Sequence, residues 1–292
     1  MGPTAPSLAA QYPGDVGIES DARVIFVEKF DGALGGLIAK WGDGVLNTST
    51  IVTDVPAGFP GGSHSLQIPR LVGDNGGQLF HTFTGQEQVY CRYYVKHDTA
   101  GPPAHSGCWM GGDDPVSSWP VPGAGTQPGG GGSAGSPSHF SAACEQTTYG
   151  RFDHYDYWHD MHPDAGGGYW GNYLINNPAI DLKVNQWNCV EHFCKLNNPR
   201  TGFTGEHAIW LDGTKISHLG LNFPHGSWVG GIFTQNPGDS GTFEGFKWSY
   251  ITALDLNWVW MQSWVDATDP SLVTTSWFSN IIVATSYIGP IA

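Results

Sequence analysis

"EQVYCRYYVKHD", residues 87–98, decides the fold. The stretch is rich in Val and Tyr, alternates between side-chain types and holds neither Gly nor Pro, which reads as a β-strand. Alternation places Tyr90, Arg92, Tyr94 and Lys96 on one side. Working outward, the same short-strand rhythm recurs in "ARVIFVEKF" (22–30), "SHSLQIP" (63–69), "GGQLFHTF" (76–83) and "HSGCWMGG" (105–112). It continues through "HFSAACEQ" (139–146), "RFDHYDYWHDM" (151–161), "QWNCVEHFCKLN" (186–197) and "GEHAIWLDGTKIS" (205–217), whose Asp-Gly marks a hairpin turn. "GTFEGFKWSYITAL" (241–254), "NWVWMQSWVDA" (257–267) and "SWFSNIIVATSYIG" (276–289) complete the set. Many short strands with no convincing helix predict an all-β, concanavalin-like jelly-roll sandwich of two antiparallel sheets. No fixed-period repeat is present to suggest a propeller.

Residues 1–21 read as an irregular lead-in and 22–292 as a single domain. The stretch 113–138, "DDPVSSWPVPGAGTQPGGGGSAGSPS", is low-complexity Gly, Pro and Ser. It is read as a long loop within the domain, because strand patterns of one type continue on both sides.

Only 13% of the 292 residues are charged, whereas there are 42 Gly, 20 Pro and 13 Trp, a balance that disfavours helices. The net charge of −14 argues against nucleic acid as a partner, which needs a basic face. A polyanionic ligand would therefore need a local cationic patch. No apolar run reaches membrane-spanning length. The opening "MGPTAPSLAAQYPGDVG" lacks the basic and apolar segments of a signal peptide. Its small, polar composition suggests an exported, secreted or extracytoplasmic protein. The five cysteines (Cys91, Cys108, Cys144, Cys189 and Cys194) form no CxxC pair. One or two disulfides with a spare thiol, or five buried thiols, both remain open. Cys189 and Cys194 would face opposite sides of a strand.

The stretch "YDYWHDMHPDAGGGYWGN" (155–172) crowds five aromatics and two histidines together. On a strand, Tyr155, Tyr157, His159 and Met161 share one face, and His154, Asp156, Trp158 and Asp160 the other. In 139–146, His139, Ser141, Ala143 and Glu145 lie together. If these strands neighbour 87–98 in one sheet, Arg92, Ser141, Tyr155, Tyr157 and His159 form one polar, aromatic patch. Such a patch suits sugars, whose faces stack on rings while hydroxyls take hydrogen bonds. For a uronic acid it also suits β-elimination. That reaction needs a base for the proton beside the carboxylate, a cation or donor on the carboxylate and an acid for the leaving oxygen.

At "VYCRYYVKHDTAGPPAHSGCWMGG", "HFSAACEQ" and "YDYWHDM" the chain resembles the jelly-roll polysaccharide lyases of the alginate and glucuronan lyase type, and their fungal relatives found with cellulases. "WNCVEHFCKLNNP", "GEHAIWLDG" and "IIVATSYIGP" follow in the same order, so the resemblance runs over nearly the whole chain from about residue 22. It implies a jelly roll with a long groove acting by elimination on an acidic polysaccharide. The family's Tyr-x-Tyr acid/base pair falls on Tyr155 and Tyr157, and its strand Ser on Ser141. Two positions depart from the pattern. The Arg two residues after that Ser is Ala143, and the Lys of the family's Gly-Lys-Leu strand falls near Cys108, with His105 the closest polar substitute.

The expected site is therefore catalytic Tyr157 with Tyr155, and His159 and Arg92 neutralising the substrate carboxylate. Ser141, His105, Tyr94, Glu145 and Trp109 would contact the sugar. Glu28, Asp31 and Asp43 are expected to help hold a structural Ca²⁺ of the kind related jelly rolls carry, an ion that favours oxygen ligands. Where the family's closing strand offers an Asp, this chain has Ser279 beside Asn280. His159 and His162, with His154, His192 and His207 elsewhere, invite a transition-metal reading, but a His-x-x-His on a strand splits its rings between two faces. The expected partner is an acidic polysaccharide, bound by a monomer. The alternatives are a non-catalytic carbohydrate-binding protein on the same scaffold and a His-dependent metal enzyme acting on glycans. Taken apart from the resemblance, Tyr155 and Tyr157 would be packing residues, and Arg92 a buried partner of Glu191 or Asp98.

Overall fold

The computed structural model describes residues 6–71, 74, 76–99, 105–116, 139–146, 150–171, 174, 180–264 and 274–292. In chain order the elements are α1 (Leu8–Gln11), β1 (Val24–Glu28), α2 (Leu34–Trp41), β2 (Gly42–Val45), β3 (Thr50–Val52), β4 (Ser65–Arg70), β5 (Gly76–Gln86) and β6 (Gln88–His97). There follow β7 (His105–Asp113), β8 (His139–Gln146), β9 (Phe152–His154), β10 (Asn188–Lys195), β11 (Glu206–Leu211) and β12 (Thr214–Leu219). The remainder are β13 (Gly226–Val229), β14 (Ile232–Gln235), β15 (Leu256–Trp264) and β16 (Thr274–Ala284). Most of the stretch expected as a long loop, residues 117–138, lies outside the described residues.

Two antiparallel sheets form the sandwich. The eight-stranded sheet runs β12-β11-β10-β6-β16-β4-β3, with β1 also on β16, and the six-stranded sheet runs β2-β5-β15-β7-β8-β9. The alternation in 87–98 explains how they pack. Val89, Cys91, Tyr93 and Val95 are fully buried between the sheets, where the Tyr93 hydroxyl donates to the Cys144 carbonyl at 2.7 Å. Opposite them stand Phe140, Ala142 and Cys144 of β8 and Val259 and Met261 of β15. Fully burying one large apolar side chain contributes about 1.5–3 kcal/mol, so period-2 patterning in paired strands suffices to choose the sandwich.

The other face of β6 is covered as well, but by different chain. Over its described residues 6–21 the expected irregular lead-in forms α1 and two turns of 3₁₀ helix. Leu8 and Ile18 are buried there against Ile282, Ala284 and Ile288.

Three local expectations differ from the structure. Helix α2 was not anticipated, because the Gly pair in its first turn and the lack of a side-chain cap at Ala33 hide it; Leu37 and Trp41 bury its inner face. The hairpin β13–β14 was not anticipated either. It turns through Gly230 and Gly231 with φ of 56° and 81°, a two-residue turn that favours glycine at both positions. Within 241–254 no strand forms. The segment joins its neighbours through isolated pairs such as Gly205 with Phe246, and anchors itself by the stacked rings of Phe246 and Trp248, 4.3 Å apart.

All five cysteines are buried free thiols, and Cys189 and Cys194 do face opposite sides of β10. No helix among the described residues is long and apolar enough to cross a membrane.

Candidate active site

The site lies on the face of the six-stranded sheet turned away from the core. Register fixes its composition: Gly107 pairs with Glu145, Trp109 with Ala143 and Gly111 with Ser141. On the other flank Trp260 pairs with Trp109 and Trp264 with His105. These residues line one face from β15 to β8, and the segment after β9 adds Tyr155 and Tyr157.

That segment stops being a regular strand after His154. Tyr155 N–H still donates to Ala143 O at 3.1 Å, and Tyr157 exchanges both backbone bonds with Ser141 at 2.8 and 3.0 Å. Between them the Ala143 N–H is taken by the Asp156 carboxylate at 3.0 Å, so a side chain does a carbonyl's work and the ladder breaks. Asp160, at φ 61°, then turns the chain away. Tyr155 and Tyr157 nonetheless keep one face, and the Tyr157 hydroxyl donates to the Tyr155 hydroxyl at 3.0 Å. Burial raises the Tyr157 pKa above that of an ordinary phenol, against the hydrogen bonds from Tyr155 and the Gly171 backbone. Tyr157 is thus a proton donor at neutral pH. Gly171 lies so close to the Tyr155 ring that a Cβ there would come within 2.6 Å of it.

Glu145, 1% exposed, organises the other end. One carboxylate oxygen meets His105 Nδ1 at 2.9 Å, and the other accepts from the Trp109 indole at 3.1 Å. Burial alone would depress the His105 pKa, but the charge and hydrogen bond of Glu145 outweigh it and hold His105 above the ordinary imidazole value. The His105 ring lies 5.1 Å from Tyr155 and 5.8 Å from Trp264, and Trp109 lies 5.4 Å from Tyr155 and 5.5 Å from Trp260. An imidazole whose pKa a buried carboxylate raises, two phenols and three indoles therefore converge.

His159 follows on the same side. Its amide donates to Lys247 O at 3.0 Å, and its ring packs 4.2 Å from Tyr250. Burial pushes its pKa down to about 4, with His139 and Lys247 adding to that push, so it is neutral over most of the working pH range. Its Nε2 is buried with no hydrogen-bond partner among the described residues.

The structure brings Tyr155, Tyr157, Ser141, Glu145, Trp109 and His105 together, places His159 against Tyr250 and the Lys247 backbone instead, and separates Arg92 and Tyr94 from them. Arg92 belongs to the eight-stranded sheet and points to the sandwich's opposite outer face. There it pairs with Asp15, donates to the Gly289 carbonyl at 3.3 Å and is wholly buried. Its partner is neither Glu191 nor Asp98. The Tyr94 hydroxyl accepts from Ile291 N–H at 2.7 Å on that same outer face. Both expectations assumed that β6 neighbours β8, whereas β7 and β8 lie in the other sheet. His159 also loses its expected role, since a neutral imidazole cannot neutralise a carboxylate. Trp260, whose indole donates to Gln78 at 3.1 Å, Trp264, and Gln262, which pairs with Gln78 across β5 and β15, were missed, although alternation in "NWVWMQSW" could have aligned Trp260, Gln262 and Trp264.

Of the proposed calcium ligands, Glu28 and Asp31 line one cavity and Asp43 does not, and among the described residues the three form no metal-holding cluster. Glu28 accepts from Phe30 N–H at 2.6 Å and the Trp41 indole at 3.1 Å, and meets Lys40 Nζ at 3.1 Å. Asp31 is exposed and turned toward His64, while Asp43 accepts from Gly44 N–H. A cation is thus already supplied to the one buried carboxylate of the three, and the set does not fit Ca²⁺. Excess chelator should leave the melting temperature unchanged so far as these residues are concerned. A fall restored by Ca²⁺ and abolished in Glu28→Gln would reinstate the ion. His162 instead donates to the Glu244 carboxylate at 2.8 Å and stacks on Trp228. His154 and Asp156, on the reverse of the tyrosine segment, turn into the core.

The fold matches solved structures of alginate lyases. Alginate lyase vAL-1 from a Chlorella virus is 14% identical, with a TM-score of 0.57 over 90% of this chain and 99% of that one. The PL-14 alginate lyase from Aplysia kurodai is 10% identical, with a TM-score of 0.58 over 90% of this chain and 100% of that one. Alginate lyase Aly36B is 14% identical, with a TM-score of 0.53 over 90% of this chain and 92% of that one. The structural overlap, not these identities, shows a common jelly-roll architecture. No family model matches the chain, and no curated protein matches it.

Proposed function

We propose that the protein is a polysaccharide lyase that cleaves a uronic-acid-containing glycan by β-elimination. The observation that carries this reading is the pair of tyrosine hydroxyls 3.0 Å apart beside His105, whose pKa the Glu145 carboxylate 2.9 Å away raises. His105 binds the substrate carboxylate and stabilises the negative charge that develops when the adjacent carbon loses its proton. Tyr155, its ring 5.1 Å from His105, takes that proton. The electron pair forms the carbon–carbon double bond as the glycosidic carbon–oxygen bond breaks. Tyr157, kept protonated by burial, gives its proton to the departing oxygen, and Tyr155 holds the Tyr157 hydroxyl in line. Trp109, Trp260 and Trp264 offer stacking faces for the sugar rings. A protein acting on such a glycan would work outside the cytoplasm, as a monomer.

A second reading, a glycan-binding protein without chemistry, is favoured by one specific observation. The ion-paired cations Arg92, Lys40 and Lys247 are engaged with Asp15, Glu28 and Asp160, leaving an imidazole to do what a lysine or arginine would do. A panel of acidic and neutral polysaccharides separates the two. Elimination produces an absorbing unsaturated uronate only from acidic substrates, whereas binding without a chromophore supports the second reading.

The charges set a pH dependence. His105 must be charged, so activity falls as pH rises through its elevated pKa. Because that pKa is raised, the His105–Glu145 pair also stabilises the fold fully below about pH 6.5 and loses this contribution as pH rises through the folded value. Glu145→Gln removes the main cause of the elevation, so the alkaline limb and the His105 NMR titration should both move to lower pH. An alkaline limb that stays in place while the titration moves would take His105 out of the reaction.

A further inference from the structure

On the inner side of the tyrosine segment, His154 and Asp156 meet His207 of β11 between the two sheets, all three with no exposed surface. Three atoms converge there. His154 Nδ1 lies 2.9 Å from His207 Nδ1 and 3.2 Å from Asp156 Oδ2, and His207 Nδ1 lies 2.9 Å from that same oxygen. Each outward-facing atom of the trio is already satisfied. His154 Nε2 meets Ser217 Oγ at 2.8 Å, His207 Nε2 meets His192 Nδ1 at 3.3 Å and Asp156 Oδ1 accepts from Ala143 N–H at 3.0 Å.

Protons alone serve this meeting point poorly. If both Nδ1 atoms are protonated, two N–H groups crowd onto one carboxylate oxygen. If only one is protonated, the other imidazole's lone pair faces the carboxylate in a dry core. A divalent cation accepts all three lone pairs at once. Two imidazole nitrogens and one carboxylate oxygen suit Zn²⁺ and its first-row neighbours, whereas Ca²⁺ wants six to eight oxygens. Ligand atoms spaced 2.9–3.2 Å apart could all reach one ion at bonds of about 2.0–2.1 Å. The satisfied outer atoms are what metal-binding imidazoles and carboxylates require of their surroundings.

We propose that His154, Asp156 and His207 form a structural transition-metal site, filled by Zn²⁺, that staples the segment after β9 to β11 of the other sheet. The site is independent of the lyase reading. It also rigidifies the backbone on which Tyr155 and Tyr157 ride at alternate positions. Because the ion lies in the core, it takes no part in substrate chemistry.

The test is metal content and spectroscopy. Protein refolded from denaturant and chelator is titrated with Zn²⁺ or Co²⁺, and then assayed by elemental analysis, visible absorption and melting temperature. One equivalent bound, a Co²⁺ ligand-field band and a higher melting temperature than the metal-free protein are expected. All three should be lost in His207→Gln and in Asp156→Asn. The proposal is overturned if no stoichiometric metal binds, or if both variants bind it unchanged, which would place the ion on other histidines. Should neither variant fold, the wild-type titration decides: a one-equivalent end point with the Co²⁺ band supports the site, and no end point removes it.

Discussion

Tyr157→Phe should lower elimination by roughly 10²–10⁴-fold while leaving glycan affinity and stability nearly intact. The substitution keeps the ring, which is 2% exposed and packed edge-on to Tyr155 at 5.5 Å. What it removes is a hydroxyl held by the Tyr155 hydroxyl at 3.0 Å and by the Gly171 backbone. A neutral hydrogen bond contributes only about 0.5–1.5 kcal/mol net, so stability cannot account for a loss of activity on the expected scale. The loss should appear in kcat, because the proton is passed only as the carbon–oxygen bond breaks. Single-turnover measurements at saturating substrate check this. A Phe variant that eliminates at the wild-type rate would shift proton donation to Tyr155.

Arg92→Leu should have the opposite signature, with a large loss of stability and no direct effect on the chemical step. Arg92 and Asp15 are both fully buried on the far face of the eight-stranded sheet. Asp15 also accepts from the Asn280 amide at 3.2 Å. Removing the guanidinium strands a carboxylate in a dry site, which costs about 3–5 kcal/mol. It also frees the Gly289 carbonyl that helps hold the C-terminal tail against the lead-in. Denaturant unfolding measures the effect. An unchanged midpoint with abolished turnover would return Arg92 to the reaction and contradict the sheet assignment.

These two residues show how far the sequence could be read. Short Val-, Tyr- and Trp-containing runs bounded by turn residues identified β6, β7, β8, β10 and the β11–β12 hairpin, although most of these strands prove buried on both faces. Alternation put Tyr155, Tyr157 and His159 on one side. Which sheet a strand joins is not written there, because both faces of β6 are covered and only long-range pairing distinguishes them. Arg92 was therefore assigned to the wrong surface. The charge state of His159 was equally out of reach, because burial by Tyr250 and the chain around Lys247 decides it. The broken ladder at Asp156 was invisible because it depends on a carboxylate intercepting the Ala143 amide. The His154–Asp156–His207 cluster was half legible. The first two share a face at i and i+2, but His207 arrives from another sheet.

The central claim is elimination, and the masses of oligosaccharides released from a polyuronate test it most directly. Elimination leaves each new non-reducing end unsaturated and one water lighter than hydrolysis would, because the bond breaks without water being added. The account predicts that products of the wild-type protein carry this deficit together with the matching chromophore, and that Tyr157→Phe releases them far more slowly. Saturated fragments carrying the full mass of an added water, or no fragments despite measurable binding, would contradict it.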